Sequence, residues 1–434
     1  VCRTENTVPG TVPTAQSCWL RVWESIRAEG RKDGEVTDRM GISERQVRLV
    51  RAAGRAGNFE MFDASVAGSD IAPAPVSSRC SLAPGPDRLG EMVKTITIAD
   101  LADGAAHAPV LNEDGRLVDP VMLVDIQPGA SQHAQKRARA FAEGCDRLLI
   151  GVTSNVASRL TAAVDLTLST ADVGCETVAV AEPEREAHEL AAAVVRNPQA
   201  ALSLRQLLRG NVRLPVRTAL EMESYAYSTL LGGLEFRQWL EDRGPLAPMA
   251  TADEPLLVGR TDDTLYITLN RPERRNAYGR EMRQALCDAL RIALVDRSVN
   301  QVVVDGAGRS FCAGGDLAEF GTTPDVATAH FIRTTVSAGL LVHALGNRIE
   351  VRVHGSCVGA GVEIPSLARR VVAAADASFR LPEIAMGLIP GAGGTVGIPR
   401  RIGRWRTLHL ALSGQPLPAE TALRWGLVDG FADP

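Results

Sequence analysis

Lysine is almost absent. Lys32, Lys94 and Lys136 are the only three, so every other basic residue is arginine and nothing beyond residue 136 carries an ammonium side chain. That excludes a Schiff-base or P-loop lysine from the rest of the chain and leaves arginine to meet any phosphate there. A charge surplus is missing too: 47 Lys+Arg against 51 Asp+Glu give a formal net charge of -4. A generic binder of nucleic acid or anionic membrane would carry a basic excess, so neither partner is expected. The eight cysteines (2, 18, 80, 145, 175, 287, 312 and 357) contain no CxxC pair, which fits scattered thiols better than a disulfide framework. The seven histidines form no HxxxH or HExxH arrangement, so a zinc site is not expected. No apolar run approaches the length of a membrane span, and the N-terminus lacks the basic-then-apolar order of a signal peptide. The expectation is a soluble cytoplasmic protein with no metal and no resident cofactor.

What is present divides into three regions, in keeping with the two or three domains that 434 residues allow. Residues 1–94 read as a leader or linker. Ser65 to Gly90 is rich in Ala, Pro, Ser and Gly without a sustained period. Within it DRMGISERQVRLVRAAG, with a turn at Ile42-Ser43 before Val47, Leu49 and Val50, loosely suggests a helix-turn-helix; a short amphipathic helix pair is the alternative. A further reading is that residues 1–91 are not native protein, since Val1 fits an alternative start codon and Met92 opens the first clear alternation.

Residues 95–250 alternate strand and helix patterns. Strands are expected around 121–128, 147–155, 164–170 and 177–182, with a helix over 131–145. Three helices should follow, from about Glu184, Ala200 and Val216, stopping near Asp242-Arg243-Gly244-Pro245. The architecture is α/β, and no phosphate loop or paired carboxylate stands out.

Residues 255–434 hold the chemistry. Leu256-LVGR and Thr264-LYITLN read as a hairpin, Glu281 to Val295 as a helix, and Gln301-VVVDG as a buried strand. A long helix is expected over about 325–345, then a strand at Glu350-VRVHG. Two small-residue loops follow strands: SFCAGGDL at 310–317 and GSCVGAGVE at 355–363. Backbones without bulky side chains can bring two N–H donors onto the oxygen of a thioester enolate. Glu363 and Glu383 could move the α-proton and handle water. Each feature alone has a plain structural reading, as a tight turn or a capping glutamate; the combination in this order is far more specific.

At SFCAGGD, GAGVE and LPEIAMGLIPGAGGT the chain resembles the enoyl-CoA hydratase/isomerase (crotonase) family, in continuous register over about 255–434. The resemblance implies a ββα spiral that binds an acyl-CoA thioester, with coenzyme A entering as part of the substrate. By position it makes Gly315 and Ala360 the oxyanion-hole donors and Glu363 and Glu383 the catalytic pair. Arg274, Arg275, Ala313, Asp316 and Gly391 fall where the family contacts substrate and coenzyme A, with a solvated basic turn as the other reading of the two arginines. Ala360 replaces a common glycine, which keeps the backbone donor. The family core is followed by a helical tail; here segments resembling that tail, 191–210 and 219–245, precede the core. The stretch 92–243 therefore resembles a degenerate crotonase-like half that kept its helical end, and helices 184–243 are expected to pack on the core. Enzyme and assembly follow by the same resemblance: reversible water addition to a 2-enoyl-CoA, in a homo-oligomer (trimer or hexamer). Isomerase, thioester hydrolase and non-catalytic scaffold readings stay open at this stage.

Overall fold

The computed structural model describes residues 93–154, 159–246 and 254–432. The linker at 65–90 and the helix-turn-helix reading at 34–57 lie outside the described residues.

Among the described residues there are three sheets, one before residue 180 and two in the stretch from residue 256 onward. The first contains β1 (Thr95–Thr97), β2 (Val121–Asp125), β3 (Leu148–Val152), β4 (Leu166–Ser169) and β5 (Thr177–Ala179), hydrogen-bonded in sequence order and all parallel. Strands β3 and β4 are buried along their whole length, and the near-continuous apolar sequence of β3 fits a sheet covered on both faces. Two helices, α1 (Ile98–Ala102) and α2 (Gln132–Gly144), cover one face.

Four helices follow: α3 (Pro183–Arg196), α4 (Pro198–Gly210), α5 (Val216–Leu231) and α6 (Leu234–Arg243). The sequence reading merged the last two. Gly232 and Gly233 separate them, Gly233 standing extended as the N-cap of α6.

The second region is a two-sheet spiral. Hairpin β6 (Leu256–Thr261) and β7 (Thr264–Leu269) leads into α7 (Arg280–Val295) and then β8 (Gln301–Gly306). Next come α8 (Val326–Thr335), α9 (Ala338–Leu345) and β9 (Ile349–Val353). From here each turn gives one strand to each sheet and then a helix: β9 with β10 (Ser356–Val358) and α10 (Ala360–Ser366), and β11 (Arg370–Ala373) with β12 (Ser378–Arg380) and α11 (Gly394–Ser413). The chain closes with β13 (Leu417–Pro418), α12 (Ala419–Trp425) and β14 (Gly430–Phe431). The larger sheet runs β14-β11-β9-β8-β7-β6 and the smaller β10-β12-β13. A parallel backbone β-bridge sets Cys312 beside Cys357, both free thiols, so the 310–317 loop lies along β10.

The expected long helix over 325–345 is two helices. Ser337 interrupts it by accepting the Leu340 amide at 3.2 Å as N-cap of α9, an option that serine offers the backbone wherever a helix can restart.

The helices before the spiral lie on it. α4 and α5 pack against α11, and α5 also packs against α8. Asp165, 1% exposed, ties three segments together: Arg205 and Arg209 of α4 reach it at 2.9 and 2.6 Å, and Arg404 of α11 at 3.7 Å. Gly403, at φ 81°, kinks α11 just before Arg404. Beyond the kink, Arg404 and Trp405 donate to the Val164 carbonyl, and Arg406 pairs with Asp172 at 2.6 Å. Buried charge of this kind is tolerable because each carboxylate oxygen is met by a guanidinium.

Candidate active site

The two small-residue loops meet over one cavity of about 200 Å³, walled by α5, α7, α8, α9 and the loops at 315–323 and 391–393. β10 delivers one side. After Val358 the backbone turns at Gly359, with φ 47°, and α10 starts at Ala360. A first-turn amide has no partner inside its own helix, and among the described residues the Ala360 amide has no acceptor. Opposite, the Gly314 carbonyl accepts the Tyr278 amide at 2.7 Å, and the neighbouring Gly315 amide is likewise without an acceptor among the described residues. Both Gly315 and Ala360 line the cavity.

Both glutamates singled out in the sequence enter the same space. Glu363 stands on α10, one turn from Ala360, and Glu383 opens a short 3-10 turn after Pro382. Their closeness shows at Gly359: a Cβ there would lie 2.6 Å from Glu383 Oε1 and 3.8 Å from Glu363 Oε1. Glycine is therefore required at this position for space as well as for its positive φ. Glu363 Oε2 accepts the Ala392 and Gly394 amides at 2.6 and 3.1 Å. Glu383 Oε2 is buried with no hydrogen-bond partner among the described residues. Burial pushes the Glu383 carboxyl up to about 8 against its own backbone amide, with Glu223 pushing the same way. Burial also holds Glu363 well above the carboxylate range, helped by Glu383 and Glu223 and opposed by the two amides.

Glu223 was missed in the sequence. It lies on α5, 170 residues before the amide it holds: Glu223 Oε1 accepts from Gly393 N at 2.7 Å, and Oε2 accepts from Thr395 N and Thr395 Oγ1 at 2.9 and 2.7 Å. Burial pushes its carboxyl up to about 7 against those donors. The available signal was an acid on an apolar helix face, since Leu220, Glu223, Tyr227 and Leu231 recur at helical spacing and all line the cavity.

The remaining positions divide. Gly391 lines the cavity beneath Tyr227, where a Cβ would sit 2.3 Å from the ring. Asp316 also lines it, but pairs with Arg274 at 2.6 Å, so Arg274 is already committed to a largely buried ion pair. Arg275 is exposed, with positive φ, and its carbonyl accepts the Ala313 amide at 2.9 Å. Neither Arg274, Arg275 nor Ala313 lines the cavity. Arg243, at the end of α6, donates to the Leu317 carbonyl and stacks on Trp239 at 5.1 Å.

Among the described residues no helix is long and apolar enough to cross a membrane. The family model described as enoyl-CoA hydratase/isomerase matches residues 260–433. The 2,3-dehydroadipyl-CoA hydratase of Escherichia coli (strain K12) is 38% identical over 173 residues, 40% of this chain and 67% of that protein. The 1,2-epoxyphenylacetyl-CoA isomerase of the same organism is 36% identical over 171 residues, 38% of this chain and 64% of that one. The chain thus spans about two thirds of the length of these relatives. A solved enoyl-CoA hydratase of Mycobacterium smegmatis aligns with 32% identity and a TM-score of 0.39, covering 42% of this chain and 71% of that one. With its paired small-residue loops and the matching sequence from residue 260 onward, the chain belongs to the enoyl-CoA hydratase/isomerase (crotonase) family.

Proposed function

We propose that this protein adds water reversibly across the double bond of a 2-enoyl-CoA thioester. The observation that carries the proposal is the convergence of Glu363 and Glu383 on Gly359, in the cavity that two unpaired amides enter. The thioester oxygen accepts from Gly315 N and Ala360 N, which stabilise the negative charge that grows as the β-carbon is attacked. Glu363 takes a proton from the attacking water, and protonated Glu383 gives one to the α-carbon; dehydration runs the same steps backward. Burial and the closeness of the two acids raise both carboxyls, so in this reading the pair keeps one proton between them near neutral pH. The Ala392 and Gly394 amides favour the charge on Glu363, which supports Glu383 as the acid.

Coenzyme A recognition belongs to the same proposal. Exposed Arg275 suits a phosphate contact, whereas Arg274 would first have to leave Asp316. The homo-oligomeric assembly implied by the family is part of it too. The first sheet repeats the parallel sequence order of β7-β8-β9-β11-β14 without the antiparallel edge strand, which supports reading residues 95–250 as a degenerate crotonase-like half.

The test incubates the purified chain with crotonyl-CoA and follows enoyl absorbance, product mass and free thiol. Hydration yields a product heavier by one water and no free coenzyme A. A product of unchanged mass, or free thiol without a hydroxyacyl product, overturns the reading in favour of isomerase or hydrolase chemistry. No turnover of any enoyl thioester favours a scaffold.

A further inference from the structure

Two cations in the cavity wall have no part in the proposed reaction. Arg283 stands on α7 and Arg333 on α8, and both line the cavity that holds Glu363 and Glu383. Arg333 donates from Nε to Ser224 Oγ at 3.2 Å and from Nη2 to the Ser224 carbonyl and Ser228 Oγ, and it stacks over Tyr227 at 4.5 Å. Neither arginine has an ion-pair partner among the described residues, and Arg283 Nε is buried without an acceptor.

The acids of the same wall are committed elsewhere. Asp316 holds Arg274, and both Glu319 oxygens accept the Arg280 amide, at 3.0 and 2.8 Å. Glu223 is saturated by Gly393 and Thr395. Glu363 and Glu383 remain as the reacting pair. Burial lowers the Arg333 pKa, Tyr227 and Glu223 oppose that, and Arg283 adds to it, so the two cations are near enough to repel. Two mutually repelling guanidinium groups in one partly desolvated cavity are costly until an anion sits between them. Arg283 keeps its fork and Arg333 its Nη1 donors for a carboxylate, and the aliphatic and aromatic wall of Leu220, Leu231, Tyr227 and Val336 suits the carbon chain leading to it.

We propose that the acyl group taken by this cavity ends in a carboxylate seated between Arg283 and Arg333, so that the substrate is a dicarboxylic 2-enoyl thioester with one free carboxylate. The proposal rests on the acyl-CoA reading above and adds the chemistry of the acyl terminus.

The experiment compares matched 2-enoyl-CoA thioesters ending in a methyl or a carboxylate, together with their saturated counterparts, on the purified full chain. Turnover gives kcat/KM, and calorimetry with the saturated thioesters gives affinity. The expected result is a preference of about tenfold or more for the carboxylate-ended compound in both readouts. Arg283→Gln and Arg333→Gln should each bring that ratio toward one, and Arg333→Lys should retain part of it. A wild-type preference for methyl-ended compounds overturns the proposal. So does an equal loss for both kinds of thioester in the glutamine variants, which would place the arginines on coenzyme A itself. Should the variants fail to fold, the wild-type ratio decides. Tight carboxylate-selective binding without hydration would overturn the hydratase reading and leave this one standing; hydration with methyl preference would do the reverse.

Discussion

Glu223 and Glu363 take alternate amides of one helix N-terminus. Ala392 N and Gly394 N donate to Glu363 Oε2, while Gly393 N and Thr395 N donate to the two oxygens of Glu223. A helix start carries unpaired donors and a partial positive charge, and here it is shared between a residue of the spiral and one from α5. Glu223 therefore positions the loop that positions Glu363.

Removing that positioning residue should be felt in both stability and rate. Glu223→Ala leaves Gly393 N, Thr395 N and Thr395 Oγ1 without an acceptor, at about 1–3 kcal/mol for each orphaned donor. Denaturant unfolding should show a loss of that order, and kcat should drop while KM changes little. Glu223→Gln, which keeps the shape, should recover part of both. A variant as stable and active as the parent would show that the loop holds Glu363 unaided.

The proposed reacting pair is tested directly by Glu363→Gln and Glu383→Gln. Each should lower crotonyl-CoA hydration by about 10²- to 10⁴-fold, the usual worth of a positioned proton-transfer group. Turnover within a few-fold of wild type in both variants would remove them from the mechanism.

Gly359 offers a steric test of the same geometry. Gly359→Ala drives a methyl against Glu383 Oε1 at a φ of 47°. Hydration should drop more steeply than thermal stability, because the displaced atom belongs to the acid. Unchanged turnover would mean that the Glu383 carboxylate does not react from this position.

Stability should fall as pH rises. Glu223 and Glu383 have folded-state pKa values raised to about 7 and about 8 from an ordinary 4.5. The folded chain thus holds protons that the unfolded chain has released. Their stabilisation is complete below about pH 4.5 and is lost as pH climbs through 7 and 8, with a slope of at most about 1.4 kcal/mol per pH unit for each group. Thermal scans from pH 5 to 9 should show this decline, flattened in Glu383→Gln. The hydration rate should fall above about pH 8 as the acid loses its proton. A melting temperature that rises across the same range would contradict both shifts.

Asp165 tests the junction between the first sheet and the spiral. Asp165→Ala strands Arg205 and Arg209, with Arg404 close by. Breaking one side of such a buried cluster costs about 3–5 kcal/mol. Urea unfolding should register it, and a loss under 1 kcal/mol would show that water replaces the carboxylate.

Local pattern determined much of this protein. The alternation at 264–269, the apolar run at 302–304, the small-residue loops and the order Glu363 then Glu383 are properties of neighbouring residues, and they name the fold class and the proposed reacting pair. Two breaks escaped the reading because they depend on single residues acting as caps: Ser337 splits one expected helix, and Gly232-Gly233 splits another. What only the tertiary structure decided is which distant groups share the cavity. Glu223, Arg283 and Arg333 come from three helices, and each looks on its own like a solvated charge. Periodicity records which face of a helix is buried, but the partner of that face is set by packing across more than a hundred residues. Arg274 shows the opposite outcome, a cation that position in the sequence assigned to substrate and that packing paired with Asp316.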